Sequence, residues 1–579
     1  MKGKDLIARA TAYGKEYGTG RLVRKTLEHE KIRKAEAGYE RWLSAHLPSQ
    51  GKLERQRKES KNQEGPLISV LVPIYRTPER FLREMIESVL QQSYPHLELC
   101  LADGSGDDTA AETVIREYAE KDARVRYAHL PANGGISGNT NAALQMAEGE
   151  FVCLLDHDDL LAPDALYELA AVLRKDPALD AVYSDEDKVD FEGKQHFQPH
   201  FKPDFNLDLL RSNNYICHLF CVRTVLARKT GGFRRAYDGA QDYDFILRCT
   251  ELAGKIGHVS RILYHWRCHP ASTAANPDSK RYAYEAGKRA IEAHLERCHV
   301  RGLVAYTDNP GFYRVRYALP KTPQVQAVIP GEFSHAERRW LEARLQAATA
   351  YPDFHVCVGR EAEGLIEALA AGSREPEGFV LFLNPSVYPM NRGWLRELVS
   401  HGLRTDAGCV TGRIYDEKHH LLHAGEVTGM FGLAAACPFK GTRSGFYGYM
   451  HKIGLQQDFT VVTGECLLIR EEVLAKLLAG RKLNGSVPGL EEASAESWNL
   501  QELDREGWNI ELCLKTQLLG LRNIYTPFAV LELRGAEREV PGYADYLVVH
   551  QERWAEALDA CDQAYNSNLS LERGGWVCR

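Results

Sequence analysis

The chain has 579 residues, 44% apolar and 26% charged, with a formal net charge of −7. That composition excludes collagen-like, low-complexity and largely disordered classes, and the acidic balance argues against a general nucleic-acid binder. No apolar run approaches the roughly 18 residues that span a bilayer, and the first residues hold no continuous apolar stretch, so no secretory leader is expected. Fourteen cysteines, mostly scattered singly, read as reduced thiols rather than a disulfide framework. The closest pair, Cys217 and Cys221 around His218, lacks a second pair at zinc spacing.

The charge is uneven. Residues 1–61 carry 16 Lys/Arg and 8 Asp/Glu, so an arm of +8 precedes a body of −15. Leu6, Ile7, Leu22, Val23, Leu27 and Ile32 recur in that arm at helical intervals. Two readings stand: a solvated helix packed on the body, or a basic helix touching anionic lipid. The stretch up to Pro66 reads as a charged linker or helix end.

From Leu67 the pattern becomes strand, helix, strand, helix. Leu67–Pro73 suits a buried parallel strand. Thr77-Pro78 predicts an N-cap and first-turn pair, followed by a helix burying Phe81, Leu82, Met85, Ile86, Val89 and Leu90. A strand at Leu97–Ala102 ends at Asp103, a helix is expected over 109–121, and strands over Val125–Leu130 and Phe151–Leu155 follow. Such alternation implies an α/β, doubly wound, mostly parallel sheet whose ligands collect beyond the carboxyl ends of its strands. Asp103 lies there, as does Asp156-His157-Asp158-Asp159.

The second half repeats the first. Val325–Pro330 matches Ile68–Pro73, Tyr351–Val358 matches Tyr94–Leu101, and the proline-to-tyrosine interval is 21 residues in each. This is domain duplication rather than a solenoid. The expected organisation is a basic helical arm (1–65), a catalytic domain (66–320), a degenerate copy (321–535) and a helical tail (536–579).

Clustered carboxylates at strand ends repel one another, and a divalent cation such as Mg²⁺ or Mn²⁺ relieves this while bridging to phosphates. A second reading of the same residues is a helix start capped by Asp158 or Asp159. Context favours the cation. The motifs ISVLVPIYRTPERFLREMIESVLQQSYPHLELCLADGSGDDT, NGGISGNTNAAL, LLDHDDLLAPDAL, YSDEDK, GGF, AQDYDFILR and YHWRCHPAST, in this order, resemble family 2 glycosyltransferases of the GT-A fold. They are more narrowly similar to enzymes building bacterial O-antigen and rhamnose-containing surface polysaccharides.

The resemblance implies an inverting, metal-dependent transferase. It would use a UDP- or dTDP-linked sugar and a lipid-linked saccharide acceptor at the cytoplasmic face of the membrane, in peripheral contact with it. It places Pro73, Tyr75, Asp103 (toward the pyrimidine), Asn141, Asp156 and Arg267 at the nucleotide-sugar donor. Asp158, Asp156 and His265 would face the Mn²⁺ or Mg²⁺, and Asp242 would be the catalytic base. Asp185, Lys188 and Trp266 fall on the acceptor side, although Asp185–Lys188 also reads as a turn and His265 as an ordinary buried histidine. Asp244 reads as structural. Where relatives carry Ala-Arg-Asn this chain has Asn139-Thr140-Asn141, so no arginine stands at that place.

In the second copy Arg360 falls opposite Asp103, Asn384-Pro385-Ser386 opposite Asp156–Asp158, and Asn509 opposite Asp242. Leu531–Arg534 replaces the late histidine, so a fold without transferase activity is expected there, with Leu422–Gly425 still resembling a relative's motif. Glu426 and Glu511 leave room for a metal-independent activity. The rival expectations are a two-site polymerase and a non-catalytic glycan-binding assembly subunit.

Overall fold

In a computed structural model the described residues are 38–107, 110–268, 281–479, 506–535, 537–542, 545–546, 562–574 and 577–579. Residues 1–37 of the arm, the end of the YHWRCHPAST motif and residues 536, 543–544, 547–561 and 575–576 of the expected helical tail lie outside them. The chain divides into a first unit, Gly38–Phe205 with Leu210–Val315, and a second holding Asn206–Leu209 and Arg316–Arg579. The division falls at Val315/Arg316.

The first unit is built on strands β1 (Ile68–Ile74), β2 (Leu97–Asp103), β3 (Val125–His129), β4 (Phe151–Leu154), β5 (Leu160–Leu161), β6 (Ala181–Val189), β7 (His196–His200), β8 (Phe220–Arg223) and β9 (Ile256–Arg267). Their order is β3-β2-β1-β4-β8-β6-β9-β5, with β7 beside β6. β1 pairs in parallel with β2 and β4, and β2 with β3, as continuous apolar runs between helices demand. β8 runs antiparallel to β4 and β6, and β9 returns parallel to β6. Every residue of β1 and β2 is buried.

The helix after β1 spans Glu79–Leu90 and buries Phe81, Leu82, Met85, Ile86 and Val89. Its N-cap is Pro78, extended at ψ 133°, and no side chain caps it. The expected Thr77 cap is displaced by one residue, leaving the Thr77 hydroxyl buried without a hydrogen bond.

Residues 38–62 are not a free arm. Helices Tyr39–His46 and Gln50–Asn62 belong to the first unit, the second capped by the Ser49 side chain. Lys52 pairs with Asp164 and Glu168, and the buried Tyr39 hydroxyl donates to Asp187 at 2.6 Å. Of the two readings of the stretch up to Pro66, linker or helix end, the helix holds as far as Asn62, and residues 38–62 pack on the first unit.

Asp185–Lys188, with a turn as one expectation, lies inside β6. Asp185 is fully buried, accepts from the Lys202 amide at 2.9 Å and sits 2.9 Å from His258 Nε2. Burial opposes a charge on His258, but Asp185 and then Asp204 outweigh it and push its pKa up to about 9. A raised histidine pKa adds stability that is complete below about pH 6.5 and lost as pH rises through about 9. The difference amounts to about 3 kcal/mol at most. Thermal melts should therefore fall between pH 6.5 and 9.5, and Asp185→Asn should melt lower at pH 6.5 with a flatter dependence; an unchanged slope contradicts the pairing.

The second unit repeats this topology. Its strands run in the order Phe354–Val358, Val325–Ile329, Phe379–Leu383, Cys466–Arg470, Ala407–Tyr415, Arg522–Leu533, Val387–Pro389. The parallel and antiparallel steps match those of β2-β1-β4-β8-β6-β9-β5 one for one. The described cysteines are all free thiols. No helix among the described residues is long and apolar enough to cross a membrane.

Candidate active site

The carboxyl ends of β1, β2 and β4 hold several of the residues expected at the donor. Ile74 is in register with Asp103, and Pro73 with Ala102. Pro73 is part of the buried strand, whereas Tyr75, just past it, is 42% exposed. The Asp103 side chain is buried; Oδ1 accepts from the Ser105 amide at 2.9 Å, which turns the chain sharply away from the strand. A Cβ on Gly104 would stand 2.6 Å from the Asn139 amide nitrogen, so this turn needs glycine. Asn139 in turn donates to the Ile74 carbonyl.

Beyond β4 the loop Asp156–Asp159 is held from β9. Tyr264 donates to Asp159 Oδ2 and accepts from the Asp156 amide, while the Arg267 amide donates to Asp159 Oδ1 at 2.7 Å. The Arg267 guanidinium, fully buried, donates to the Asp158 carbonyl and pairs with Glu84, each at 2.7 Å. Asp159 therefore serves as an internal anchor. Neither Asp158 nor Asp159 caps the following helix, Ala165–Lys175, whose N-cap residue is Asp164. Arg267, expected at the donor, instead braces the acidic loop from behind, because its guanidinium is occupied by Asp158, Phe191 and Glu84.

Asp156 is left facing like charges. Burial pushes its carboxyl up, and Asp158 and Asp242 add to this against the opposing His218 and His157. Asp242 reaches this site through Cys217, whose thiol lies 3.6 Å from its carboxylate and which precedes His218, the imidazole grouped with Asp156. Asp242 lies in the first turn of the helix Gln241–Leu252 and accepts from the Asn214 side chain at 2.8 Å. Two residues on, Asp244 is wholly buried between Arg234 and Arg248. The two aspartates of one helix turn thus have separate roles: Asp242 faces the site and Asp244 anchors the helix.

Asp156 and Asp159 with His218 form a set rich in oxygen, which fits a hard divalent ion, while Asp158 is outside the sets that converge among the described residues. Ligand atoms of Asp156, Asp159 and His218 lie within 4.8 Å of one another, and so do those of Asp187, His196 and His265. His265, expected beside Asp156 and Asp158, thus groups with Asp187, 2.6 Å from its Nδ1. This fixes the ring and leaves Nε2 as its ligand nitrogen. The imidazole beside Asp156 is that of His218, which stacks on Tyr264 at 4.4 Å and meets Glu186 at 3.0 Å. Burial opposes a charge on His218, but its Cys217 and Glu186 contacts raise its pKa. Burial pushes the Cys217 thiol itself up to about 12, so Glu186 is the charged partner of His218. Sequence reasoning had His218 only as part of a weak Cys-His-Cys cluster; its carboxylate partner lies 32 residues away.

On the acceptor side, Lys188 and Trp266 are half-buried neighbours, the ammonium 5.3 Å from the indole centre. Asp185 is turned inward, as described above. Asn141 clasps Phe233 through its carbonyl and amide, both at 2.8 Å, so it fixes a loop of the fold rather than extending toward a donor.

In the second unit the corresponding strand ends carry Arg360, at the first position of its helix, and the buried Asn384, which donates to Glu465 at 2.6 Å. Asn509 occupies the first turn of the helix Trp508–Leu518 and donates to the Val462 carbonyl at 2.9 Å.

Residues 69–230 match the model for glycosyl transferase family 2. Over 564 residues, 89% of this chain, the sequence is 36% identical to the uncharacterized protein y4gI of Sinorhizobium fredii, covering 59% of that protein. It is 32% identical over 474 residues to the O-antigen biosynthesis protein RfbC of Myxococcus xanthus, covering 76% of this chain and 36% of that one. Against chondroitin synthase of Escherichia coli it is 33% identical over 211 residues, 36% of this chain and 30% of that one. The chain thus spans 59% of the first of these relatives and about a third of the other two. With the matched segment running from β1 past β8 and enclosing the acidic loop, the first unit carries a glycosyl transferase family 2 domain.

Proposed function

We propose that the chain transfers a sugar from a UDP- or dTDP-linked donor to a lipid-linked saccharide, with inversion, in bacterial surface-polysaccharide synthesis. The observation that carries this is the gathering of Asp156, Asp159 and His218 at the carboxyl end of the sheet, with Asp242 3.6 Å from the thiol of Cys217, the neighbour of His218 in the chain. The similarity to an O-antigen biosynthesis protein and a chondroitin synthase supports the polysaccharide context. Residues 66–320 would form the transferase and 321–535 a copy without transferase activity. The protein would work at the cytoplasmic face of the membrane, in peripheral contact with anionic lipid.

In this reading Asp103 accepts a hydrogen bond from the pyrimidine, with Pro73 and Tyr75 beside it. Asp156 and Asp158, with His265, would hold Mn²⁺ or Mg²⁺. The ion, when bound, offsets charge on the departing diphosphate and orients the donor. Asp242 takes the proton of the acceptor hydroxyl as that oxygen attacks the anomeric carbon; Asn214 holds its carboxylate toward the incoming hydroxyl. A single base opposite the leaving group gives one displacement, hence inversion. Arg267, Tyr264 and Asp159 keep the acidic loop in one shape before donor arrives. Lys188 and Trp266 offer a cationic and aromatic surface to an acceptor sugar.

Chelation with EDTA should abolish UDP or dTDP binding, and added Mn²⁺ should restore it. Asp158→Asn should lower nucleotide affinity at least tenfold with an unchanged melt. Nucleotide affinity indifferent to both treatments contradicts the metal role.

A further inference from the structure

The second unit has a cavity of its own. It measures about 380 Å³, in the range of small-molecule sites, and is lined among others by His423, Glu426, Glu465, Trp508, Asn509 and Arg538. It opens at the start of the helix Trp508–Leu518, the place corresponding to Asp242 in the first unit.

Its chemistry differs from that of the first site. Four carboxylates line it, those of Glu426, Glu465, Glu506 and Glu539, against the cation of Arg538 and the imidazole of His423. Arg538 lies 3.7 Å from Glu465 and against the Trp508 ring, so its charge is already balanced within the wall. Glu465 is further used by the Asn384 amide and the Arg538 backbone. A diphosphate entering here would meet like charge. Among the described residues no three metal-ligating side chains of this wall converge as they do in the first unit.

One atom calls for a ligand. His423 is only 6% exposed, and its Nε2 makes no hydrogen bond, with a Glu537 oxygen at 3.6 Å. A buried polar nitrogen left so is costly unless something fills the place. Its Nδ1 meets Glu426 at 2.9 Å, and the other Glu426 oxygen has only a 3.5 Å contact with the Asn509 amide. Burial opposes protonation of His423, while Glu426, Glu465 and Glu537 raise its pKa. With Nδ1 engaged by Glu426, Nε2 and the second Glu426 oxygen are two polar atoms flanked by an indole, Pro330 and Val540, and they suit a ring whose hydroxyl groups can donate or accept and which bears no charge.

We propose that this cavity binds a neutral sugar residue, with His423 and Glu426 as its polar contacts, and that it binds no nucleotide. The site stands apart from the transfer reaction assigned to the first unit, and its test needs no donor.

Saturation-transfer NMR on the full chain with methyl glycosides of glucose, galactose, mannose, rhamnose and N-acetylglucosamine tests this. At least one should give a signal that falls fivefold or more in Glu426→Gln and in His423→Gln, persists in Asp242→Asn and resists competition by UDP with Mn²⁺. Should the buried variants fail to fold, Glu506→Lys with Glu539→Lys, both exposed at the rim, should weaken the signal in the same way. No signal from any glycoside, a signal unchanged in every cavity variant, or UDP binding that depends on Glu426 overturns the proposal. Loss of nucleotide binding by the first unit with this signal intact would count against the transferase reading alone.

Discussion

Replacing Asp242 by Asn should lower the rate of sugar transfer about 10²–10⁴-fold, the range a positioned general base supplies, while leaving donor affinity and the melt unchanged. Asn is nearly the same size and still has an oxygen to accept from Asn214 at 2.8 Å, so the helix start should survive. What is lost is the ability to accept a proton. Removing a negative charge beside Asp156 should also make that carboxyl easier to ionise, since Asp242 helps push it up. Metal affinity should consequently stay level or rise. A rate within threefold of the wild type would remove Asp242 from the chemistry. A donor affinity that collapses along with the rate would make it a binding residue instead.

Asp244→Ala, two residues away, should do the opposite. Its carboxylate is completely buried between two guanidiniums, Arg234 and Arg248, and Arg248 also donates to the Thr230 and Gly232 carbonyls. Removing it strands a buried cation, which typically costs about 3–5 kcal/mol. The first unit should melt well before the second, as two transitions in place of the wild-type profile, and the protein should be prone to aggregate. Asp244→Asn should be less severe, because the amide oxygen still accepts from one arginine. Calorimetry on the three proteins checks this; an Asp244→Ala profile matching the wild type would show that the arginines find other partners. The pair makes one helix turn informative: one carboxylate is expected to control rate, the other stability.

Much of this organisation is legible in the sequence. Runs such as Ile68–Ile74 and Leu97–Asp103 carry their own assignment, because parallel strands covered on both faces must be apolar throughout. Acidic residues that end such runs stand out against that background, and the equal proline-to-tyrosine interval reveals the repeat that the two strand orders display. Four features are hidden, each for a physical reason. β6 contains Asp185-Glu186-Asp187-Lys188, a polar run suggesting a turn, yet each acid is buried against a histidine from a distant element: His258, His218 and His265. Nothing local announces partners 32 to 78 residues away. Arg267, two residues after His265, suggests a phosphate contact, but its guanidinium is taken by the Asp158 and Phe191 carbonyls and by Glu84, partners far from it in sequence. Residues 38–62 look like an arm because their charges dominate, while the few residues that pack, Tyr39, Trp42, Leu43 and Leu53, are too sparse to signal a buried face. The cap at Thr77 moved because Pro78 took an extended backbone and became the cap itself.

On the proposed function the nucleotide-sugar binds at the acidic loop of the first unit, and the second unit has no such site. Calorimetric titration of the full chain with UDP and with dTDP, each with Mn²⁺, tests it most directly. The account predicts one nucleotide per chain, abolished or weakened at least tenfold by Asp158→Asn and untouched by Glu426→Gln. Two nucleotides per chain, or one whose affinity follows Glu426 and ignores Asp158, would contradict it.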